Sequence, residues 1–184
     1  RRGGIPFGWI VSRACGVRDI RAHGSGNIGA TNVWRTLGPK AAAWVYAGDI
    51  GKGVLAVLIA RMVDQDLLPR DYFLVLAALS AVAGHVFSIY LSFKGGKGVN
   101  TALGVMISLL PWHTLVALAA FIVTVAASKY ISLGSVIASV SLFLTTATEK
   151  LFLSQDRSTI YTLLTAILML LVAYTHRANL ARIR

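Results

Sequence analysis

The stretch WHTLVALAAFIVTVAAS, residues 112–128, contains no Asp, Glu, Lys or Arg and is long enough to cross a bilayer as a helix. A shorter apolar run, Ile5–Ala14, opens the chain, and we expect it to be an incomplete first helix. Five further runs have a similar character, at about residues 41–62, 71–93, 97–111, 131–148 and 158–175. Together the runs predict an all-α polytopic membrane protein with seven transmembrane helices, forming a single domain over residues 1–184.

The junction between two of these runs carries a proline. Runs 97–111 and 112–128 meet at Pro111, and proline is favoured in the first turn of a helix. A tight turn between two helices is therefore one interpretation, and a single broken helix is the other.

The composition supports a membrane protein. Hydrophobic residues make up 56% of the chain, charged residues only 14%, and the mean hydropathy is +0.69. Soluble domains are about 45–50% apolar and about 25% charged. The net charge of +11 would suggest nucleic acid in a soluble protein. Here we expect it to orient the chain, meet anionic lipid or bind an anionic substrate, with no nucleic-acid partner.

Two kinds of site are not expected. The single cysteine, Cys15, excludes an intrachain disulfide and a zinc site built from cysteines. Acidic clusters and helix-borne His/Glu pairs are missing from the sequence as well, so we predict neither a metal nor a cofactor.

Basic residues fall mostly on one side of the predicted membrane. If residues 15–40 lie on one side, the loops of that side hold eleven Lys and Arg. The other side holds four, besides Arg1 and Arg2. Because loops rich in Lys and Arg stay in the cytoplasm, the eleven-residue side is predicted to be cytoplasmic.

Three glycine-rich or polar segments share that side: GSGNIGATN at Gly24–Asn32, KGGKG at Lys94–Gly98, and HRAN at His176–Asn179. The first contains G-x-G-x-x-G, but no strand precedes it, so a dinucleotide fold is rejected. The second lacks the Gly and Ser/Thr that a phosphate-binding Walker loop needs. Glycine amides, polar side chains and cations nevertheless suit an anion site. The alternatives are a flexible loop and lysines that anchor a helix end at the headgroups.

Ionisable residues also occur inside predicted helices. Asp49 and Lys52 lie three apart on one helix face, and His85 follows Gly84 near the KGGKG segment. Such groups are costly at membrane depth and are usually functional. The alternative is a mutually neutralising structural pair and a histidine that only forms structural hydrogen bonds.

These segments resemble the motifs of the bacterial acyl-phosphate-dependent glycerol-3-phosphate acyltransferases, the PlsY family. The resemblance covers about residues 5–182 and has two departures: most of the family's first helix is missing, and Asn100 replaces a small apolar residue. The matching stretches are Ile5–Gly8, Gly24–Asn32, Asp49–Gly53, Gly84–Phe87, Phe93–Val99 and His176–Asn179.

The resemblance implies an enzyme of the bacterial inner membrane with its active site on the cytoplasmic side. It implies transfer of a fatty acyl group from acyl phosphate to the sn-1 hydroxyl of glycerol 3-phosphate. The products are lysophosphatidic acid and phosphate, in the first step of phospholipid synthesis. The implied partners are these substrates, membrane lipid and a soluble acyl-phosphate-producing acyltransferase.

Residue roles follow as expectations. We expect catalytic roles for His176, Ser25 and Lys94. The groups expected to hold the acyl phosphate are Lys94, Lys97, Ser25 and the amides of Gly95 and Gly96. Those expected to hold glycerol 3-phosphate are Arg35, Asn27, Asn32, His176 and Asn179. Further candidates for substrate binding are Gly26, Thr31, Asp49, Lys52 and His85.

The role of His176 stays open between general base and phosphate binding. No acidic residue lies near it in the sequence, which slightly favours binding, because a catalytic histidine usually has an orienting partner.

Two other functions compete with this one. A transporter of a phosphorylated small anion should show repeat symmetry and charges on both sides, whereas the far loops carry few charges. A structural lipid-binding protein would have no need of the Asp49 and Lys52 pair inside a helix.

The charge asymmetry predicts that positions 25, 94 and 176 are all accessible from the cytoplasm. Single cysteines placed there in a Cys15→Ser background should react with a membrane-impermeant thiol reagent only when the cytoplasmic face is open. Labelling of positions 25 and 176 from opposite faces would rule out a shared site.

Overall fold

The computed structural model describes residues 5–153 and 156–183, and within them the chain is helical with no strand. Short 3-10 turns occur at Ile20–Ala22 and Ile89–Leu91. The eight helices are α1 (Phe7–Ala14), α2 (Ala30–Leu37), α3 (Pro39–Met62), α4 (Arg70–Val86), α5 (Val99–Leu109), α6 (Pro111–Ser128), α7 (Ile131–Leu153) and α8 (Asp156–Leu180).

Most of the apolar runs become helices of membrane-spanning length. In the described residues, α3, α6, α7, α8 and the segment Arg70–Leu91, which is α4 with the 3-10 turn that follows it, are long and apolar enough to cross a bilayer, whereas α5 is apolar but shorter. The prediction of an all-α polytopic membrane protein is confirmed. The count of seven transmembrane helices stays a prediction.

The Pro111 junction is a tight turn and not a broken helix. Helix α5 ends at Leu109 and α6 begins at Pro111, so Leu110 alone connects them. Proline fits this position because the first amide of a helix has no partner within the helix.

Helix α2 differs from the sequence prediction, which placed Gly24–Asn32 in a loop. Gly29 precedes the helix, and Gly38 ends it with a left-handed φ of 85°. Ala30 and Val33 are buried against the core, whereas Trp34 and Arg35 are exposed. An isolated helix of eight residues is not stable in water, so the burial of one face, and not intrinsic propensity, explains this helix.

The chain forms two compact units. The first comprises residues 5–59 and 78–105, and its core contains Ile20, Ile28, Val33, Ala42 and Val45. These residues come from the first 3-10 turn, the following loop, α2 and the start of α3. The glycine-rich segment is therefore built onto a packed core and is not a free surface loop.

The second unit comprises residues 60–77 and 106–183, and in it α7 packs against both α6 and α8. The buried hydroxyls of Thr146 and Thr165 lie 2.8 Å apart and join α7 to α8. Other hydroxyls in these helices donate to carbonyls of their own helix, as Thr124 does to Ala120. These hydroxyls of the second unit thus find partners inside the protein, as an apolar solvent requires.

Helices α3 and α5 approach closely in the first unit, through glycines. A Cβ on Gly53 would overlap the carbonyl oxygen of Thr101, and one on Gly104 would overlap that of Ile50. Small residues permit such approach between membrane helices, where packing and not the hydrophobic effect drives association.

Gly53→Ala should therefore destabilise the protein, and Gly51→Ala should not. The first forces α3 away from α5, at a cost of about 1–3 kcal/mol for overpacking. A Cβ on Gly51 has nothing within 4 Å. Thermal unfolding of the purified protein in detergent measures both variants, and equal unfolding temperatures would contradict the close α3–α5 contact.

Candidate functional site

The buried side chain of Asn32 holds the Gly24–Gly29 loop in shape. Its Oδ1 accepts the amide N–H of Ser25 at 2.7 Å. Its Nδ2 donates to the carbonyls of Ile20, His23 and Asn27, at 3.2, 3.0 and 2.8 Å. The predicted contact of Asn32 with glycerol 3-phosphate does not fit this geometry, because the loop already occupies its amide.

Several loop amides are also occupied. Besides Ser25, the N–H of Gly26 donates to the His23 carbonyl and that of Gly29 to Oδ1 of Asn27. These three amides therefore have hydrogen-bond partners within the protein. What the loop does present is the exposed residue Ser25 at its tip.

Asp19, just before this loop, is paired with a cation. Arg21 donates to its carboxylate from Nε and Nη2, and the Arg21 amide donates as well. These hydrogen bonds lower the pKa of Asp19 from 3.8 to about 2. The one acid on the predicted cytoplasmic face is thus a fixed partner of Arg21, which reduces its repulsion of an anionic substrate.

Thr31 and Arg35 lie one turn apart on α2, on the same side of the helix. Thr31 is half-buried and Arg35 is exposed. Among the residues that the structure describes, no carboxylate lies within ion-pair distance of Arg35. Its guanidinium can therefore bind a phosphate through two parallel hydrogen bonds.

The KGGKG segment closes the end of α4. The amides of Gly95 and Gly96 donate to the carbonyls of Val86 and His85, at 3.0 and 3.2 Å. These carbonyls belong to the last turn of α4, where carbonyl groups have no partners within the helix. The two amides thus cap a helix, and their predicted contact with acyl phosphate stays a prediction.

The turn before the two glycines is strained. Ser92 and Phe93 both have left-handed backbone, with φ of 53° and 63°. The Phe93 amide donates to the carbonyl of buried Ser88 at 2.8 Å, and the Lys94 amide donates to that of Leu91. This geometry projects Lys94 as an exposed residue. Ser88 was not predicted, and no pattern in the sequence marks it.

Glycine at 95 and 96 is required by close approach to His85. A Cβ on Gly95 would overlap the His85 carbonyl, and one on Gly96 would overlap Nε2 of the imidazole. Gly98 has a left-handed φ of 83°, which also favours glycine.

A buried ionic cluster fixes the His85 ring. The Nζ of Lys52 lies 2.6 Å from Oδ1 of Asp49, 2.6 Å from Nδ1 of His85 and 3.1 Å from the Ile5 carbonyl. An ammonium has three N–H donors, and these contacts use all of them. Direct substrate binding by Lys52 therefore does not fit. The cluster instead holds in place the His85 imidazole, which packs against Gly96.

His176 and Asn179 lie on α8 and not beyond it, because that helix continues to Leu180. They are three residues apart and share a face. His176 is buried, and its Nδ1 lies 2.9 Å from the Val172 carbonyl one turn back. A carbonyl only accepts, so Nδ1 carries the proton and Nε2 of a neutral ring keeps its lone pair.

Among the described residues, no three His, Cys, Asp or Glu side chains gather closely enough to hold a metal ion. The candidate site consists of hydroxyl, amide, imidazole and cationic groups.

Comparison with known proteins gives consistent results. Residues 2–184 match the family described as glycerol-3-phosphate acyltransferase. The chain is 44% identical over 182 residues to the glycerol-3-phosphate acyltransferase of Geobacter sulfurreducens, covering 99% of this chain and 88% of the relative. It is 40% identical over 181 residues to that of Bacillus subtilis, covering 98% and 88%.

Two solved structures have a similar fold. Both are crystal structures of PlsY (YgiH), an integral membrane glycerol 3-phosphate acyltransferase. The glycerol 3-phosphate form has a TM-score of 0.83 and 34% identity, over 97% of this chain and 84% of that one. The lysophosphatidic acid form has a TM-score of 0.80 and 32% identity, with the same coverage.

The contact between Gly96 and His85 predicts a coupled pair of substitutions. Gly96→Ala should lower kcat/KM at least about tenfold, because the added methyl displaces the turn that carries Lys94. The same substitution in a His85→Ala background should cost much less, because the imidazole is gone. A double-mutant cycle measures this coupling, and additive effects would disprove the contact.

Proposed function

We propose that this chain, which belongs to the glycerol-3-phosphate acyltransferase family and is a multi-pass integral membrane acyltransferase, acylates the sn-1 hydroxyl of glycerol 3-phosphate from acyl phosphate. One observation carries the proposal most directly. Arg35 and Lys94 are exposed cations held on rigid backbone, and no described carboxylate lies within ion-pair distance of either. The relatives crystallised in glycerol 3-phosphate and lysophosphatidic acid forms support this substrate and this product.

The reaction needs little more than positioning and charge neutralisation. The hydroxyl oxygen attacks the acyl carbonyl carbon, and the bond from that carbon to the phosphate oxygen breaks. Inorganic phosphate leaves with the bonding electron pair, and the hydroxyl proton passes to a base. Acyl phosphate is a mixed anhydride with a good leaving group, so fixed cations and donors supply most of the catalysis.

The side chains divide into two proposed groups. We assign Lys94, Lys97 and Ser25 to the acyl phosphate. Arg35, Thr31, Asn27 and Asn179 are assigned to glycerol 3-phosphate, with His176 at its hydroxyl.

A further set of residues positions these substrate-binding side chains without contacting substrate. Asn32 and Gly26 shape the loop that bears Ser25. The residues that shape the turn bearing Lys94 are Gly95, Gly96, His85, Lys52 and Asp49.

His176 is better suited to accept a hydrogen bond than to donate one. With Nδ1–H donating to Val172, a neutral ring offers only a lone pair at Nε2. Contact of Nε2 with an unprotonated phosphate oxygen would require the imidazolium. We therefore assign Nε2 to the sn-1 hydroxyl as general base, in place of the phosphate-binding role that the sequence favoured. The Val172 carbonyl supplies the orienting partner that the sequence did not reveal.

The proposed setting is the bacterial inner membrane, with the site on the cytoplasmic side and residues 1–184 acting as one domain. A soluble acyl-phosphate-producing enzyme is the proposed source of the donor. Protein reconstituted in vesicles with acyl phosphate and glycerol 3-phosphate tests the activity. Phosphate release should require both substrates. Uptake of a phosphorylated anion without phosphate release would instead establish a transporter.

Loss of either exposed cation should impair catalysis. Arg35→Ala and Lys94→Ala should each cost about 3 kcal/mol of transition-state stabilisation, as loss of one preorganised donor does. Arg35→Lys should recover only part of the loss, because a lysine cannot make the two-pronged contact. Arg18→Ala removes an exposed charge from the same predicted face and serves as the control. Turnover of Arg35→Ala equal to that of Arg18→Ala would show that Arg35 is only a surface residue.

The pH profile distinguishes the roles of His176. If His176 is the general base, wild-type kcat should fall as the pH drops below about 6.5, where an ordinary histidine becomes protonated. His176→Asn should be nearly inactive at every pH. Measurable turnover in His176→Asn, with a raised KM for glycerol 3-phosphate and an unchanged acid limb, would assign His176 to binding.

A further inference from the structure

Helix α1 contacts the loop that bears Ser25 through a glycine. Gly8 is buried in the first turn of α1, and a Cβ at this position would overlap the carbonyl oxygen of Ile28. Ile28 is buried in the core of the first unit and lies three residues after Ser25. The backbone of α1 therefore lies directly against the backbone of the loop, so close that only glycine fits.

The residues just before Gly8 contact α3. The ring of Phe7 packs against Gly48, where a Cβ would overlap the ring. Nζ of Lys52 lies 5.8 Å from the centroid of the same ring and donates to the Ile5 carbonyl at 3.1 Å. A lysine ammonium within about 6 Å of an aromatic ring is attracted to it. Lys52 thus joins the start of α1 to the buried ionic cluster.

The ionic cluster continues from Lys52 to the turn that bears Lys94. The lysine Nζ lies 2.6 Å from Nδ1 of His85, whose ring packs against Gly96. Gly96 lies two residues after Lys94, and its amide donates to the His85 carbonyl. A continuous series of contacts therefore runs from the first residues of α1 to the KGGKG turn, and all of it lies within the first unit.

We propose that α1 is a common support for two parts of the candidate site. Through Gly8 it positions the loop that bears Ser25. Through Ile5 and Phe7 it positions the turn that bears Lys94. Gly8 and Phe7 are thus positioning residues that contact no substrate. The inference rests on the proposed function for the roles of Ser25 and Lys94, whereas the contacts of α1 do not depend on it.

A single support suits this chemistry because the acyl phosphate and the attacking hydroxyl must be held at a fixed separation. Misplacement by about 1 Å can cost about 100-fold in rate. Two segments that are anchored to the same short helix keep their relative position when the surrounding helices move. The helix is itself anchored, because Trp9 and Val11 pack against the core of the first unit.

Spin labels can report on both segments without requiring activity. Ser25→Cys or Lys94→Cys, each in a Cys15→Ser background, provides one attachment point for a nitroxide in the detergent-solubilised full-length protein. The continuous-wave spectrum measures the mobility of the label. Gly8→Ala forces α1 away from the loop. Its control is Gly51→Ala, which adds the same methyl group to α3 with nothing within 4 Å.

A second substitution covers the case in which Gly8→Ala does not fold. Phe7→Ala removes the ring that packs against α3 and lies near the Lys52 ammonium. Ile10→Ala shortens an exposed apolar side chain of the same helix and is the matched control. All spectra are recorded well below the unfolding temperature of each variant.

We expect Gly8→Ala and Phe7→Ala each to raise the mobility of the label at both positions, 25 and 94. The spectra of the two controls should equal those of the protein without a further substitution. A change confined to one of the two positions, or unchanged spectra at both, would overturn the common support.

A double-mutant cycle separates positioning from a general loss of stability. Gly8→Ala should lower kcat/KM at least about tenfold, because the added methyl group displaces the loop that bears Ser25. In a Ser25→Ala background the same substitution should cost less than about twofold, because the side chain that it misplaces is gone. An equal loss in both backgrounds would show that Gly8 supports only the fold.

The two measurements distinguish this inference from the proposed function. Absence of phosphate release in the wild type would refute the proposed function, and the spectra would still decide whether α1 supports both segments. Normal phosphate release together with unchanged spectra would refute the common support alone.

Discussion

A bilayer offers the backbone no hydrogen bonds, so each helix that crosses it must satisfy its last carbonyl groups within the protein or at the membrane surface. At the end of α4 the protein does so with its own glycine amides. The carbonyls of His85 and Val86 accept from Gly96 and Gly95, and the carbonyl of Ser88 accepts from Phe93. The position of Lys94 follows from this closure. The part of the candidate site that resembles a phosphate loop is thus, in the first place, a helix end.

In the other glycine-rich segment, too, polar groups are satisfied by partners within the protein. The side-chain amide of Asn32 is fully hydrogen-bonded to the loop that carries Ser25. The ammonium of Lys52 contacts Asp49, His85 and a backbone carbonyl. Groups that look like ligands in the sequence are therefore the supports of a smaller set that remains exposed. Fixed supports matter in acyl transfer, because catalysis by fixed charges depends on how little those charges must reorganise.

Sequence reasoning predicted the long helices well, because length and apolarity alone determine them, and it gave the tight turn at Pro111 as one of two interpretations. It did not predict α2, whose stability comes from burying Val33 and from tertiary hydrogen bonds of Asn32. It ended α8 too early, because the polar residues of His176–Asn179 follow the apolar run without a glycine or proline to stop the helix. It also gave no sign that the amides of Gly95 and Gly96 cap α4. A glycine that presents an amide and one that only makes room for a histidine ring look identical in a sequence.

The shortness of α5 has a consequence for access by water. Its 11 residues span about 16 Å, roughly half of a hydrocarbon core of about 30 Å. In a seven-helix topology, at least one end of α5 therefore lies below the membrane surface. Irregular backbone at that depth persists only where protein covers it or where it borders a water-filled recess. Such a recess beside the KGGKG turn would let a fully charged, water-soluble acceptor descend to the level of an acyl chain that never leaves the lipid.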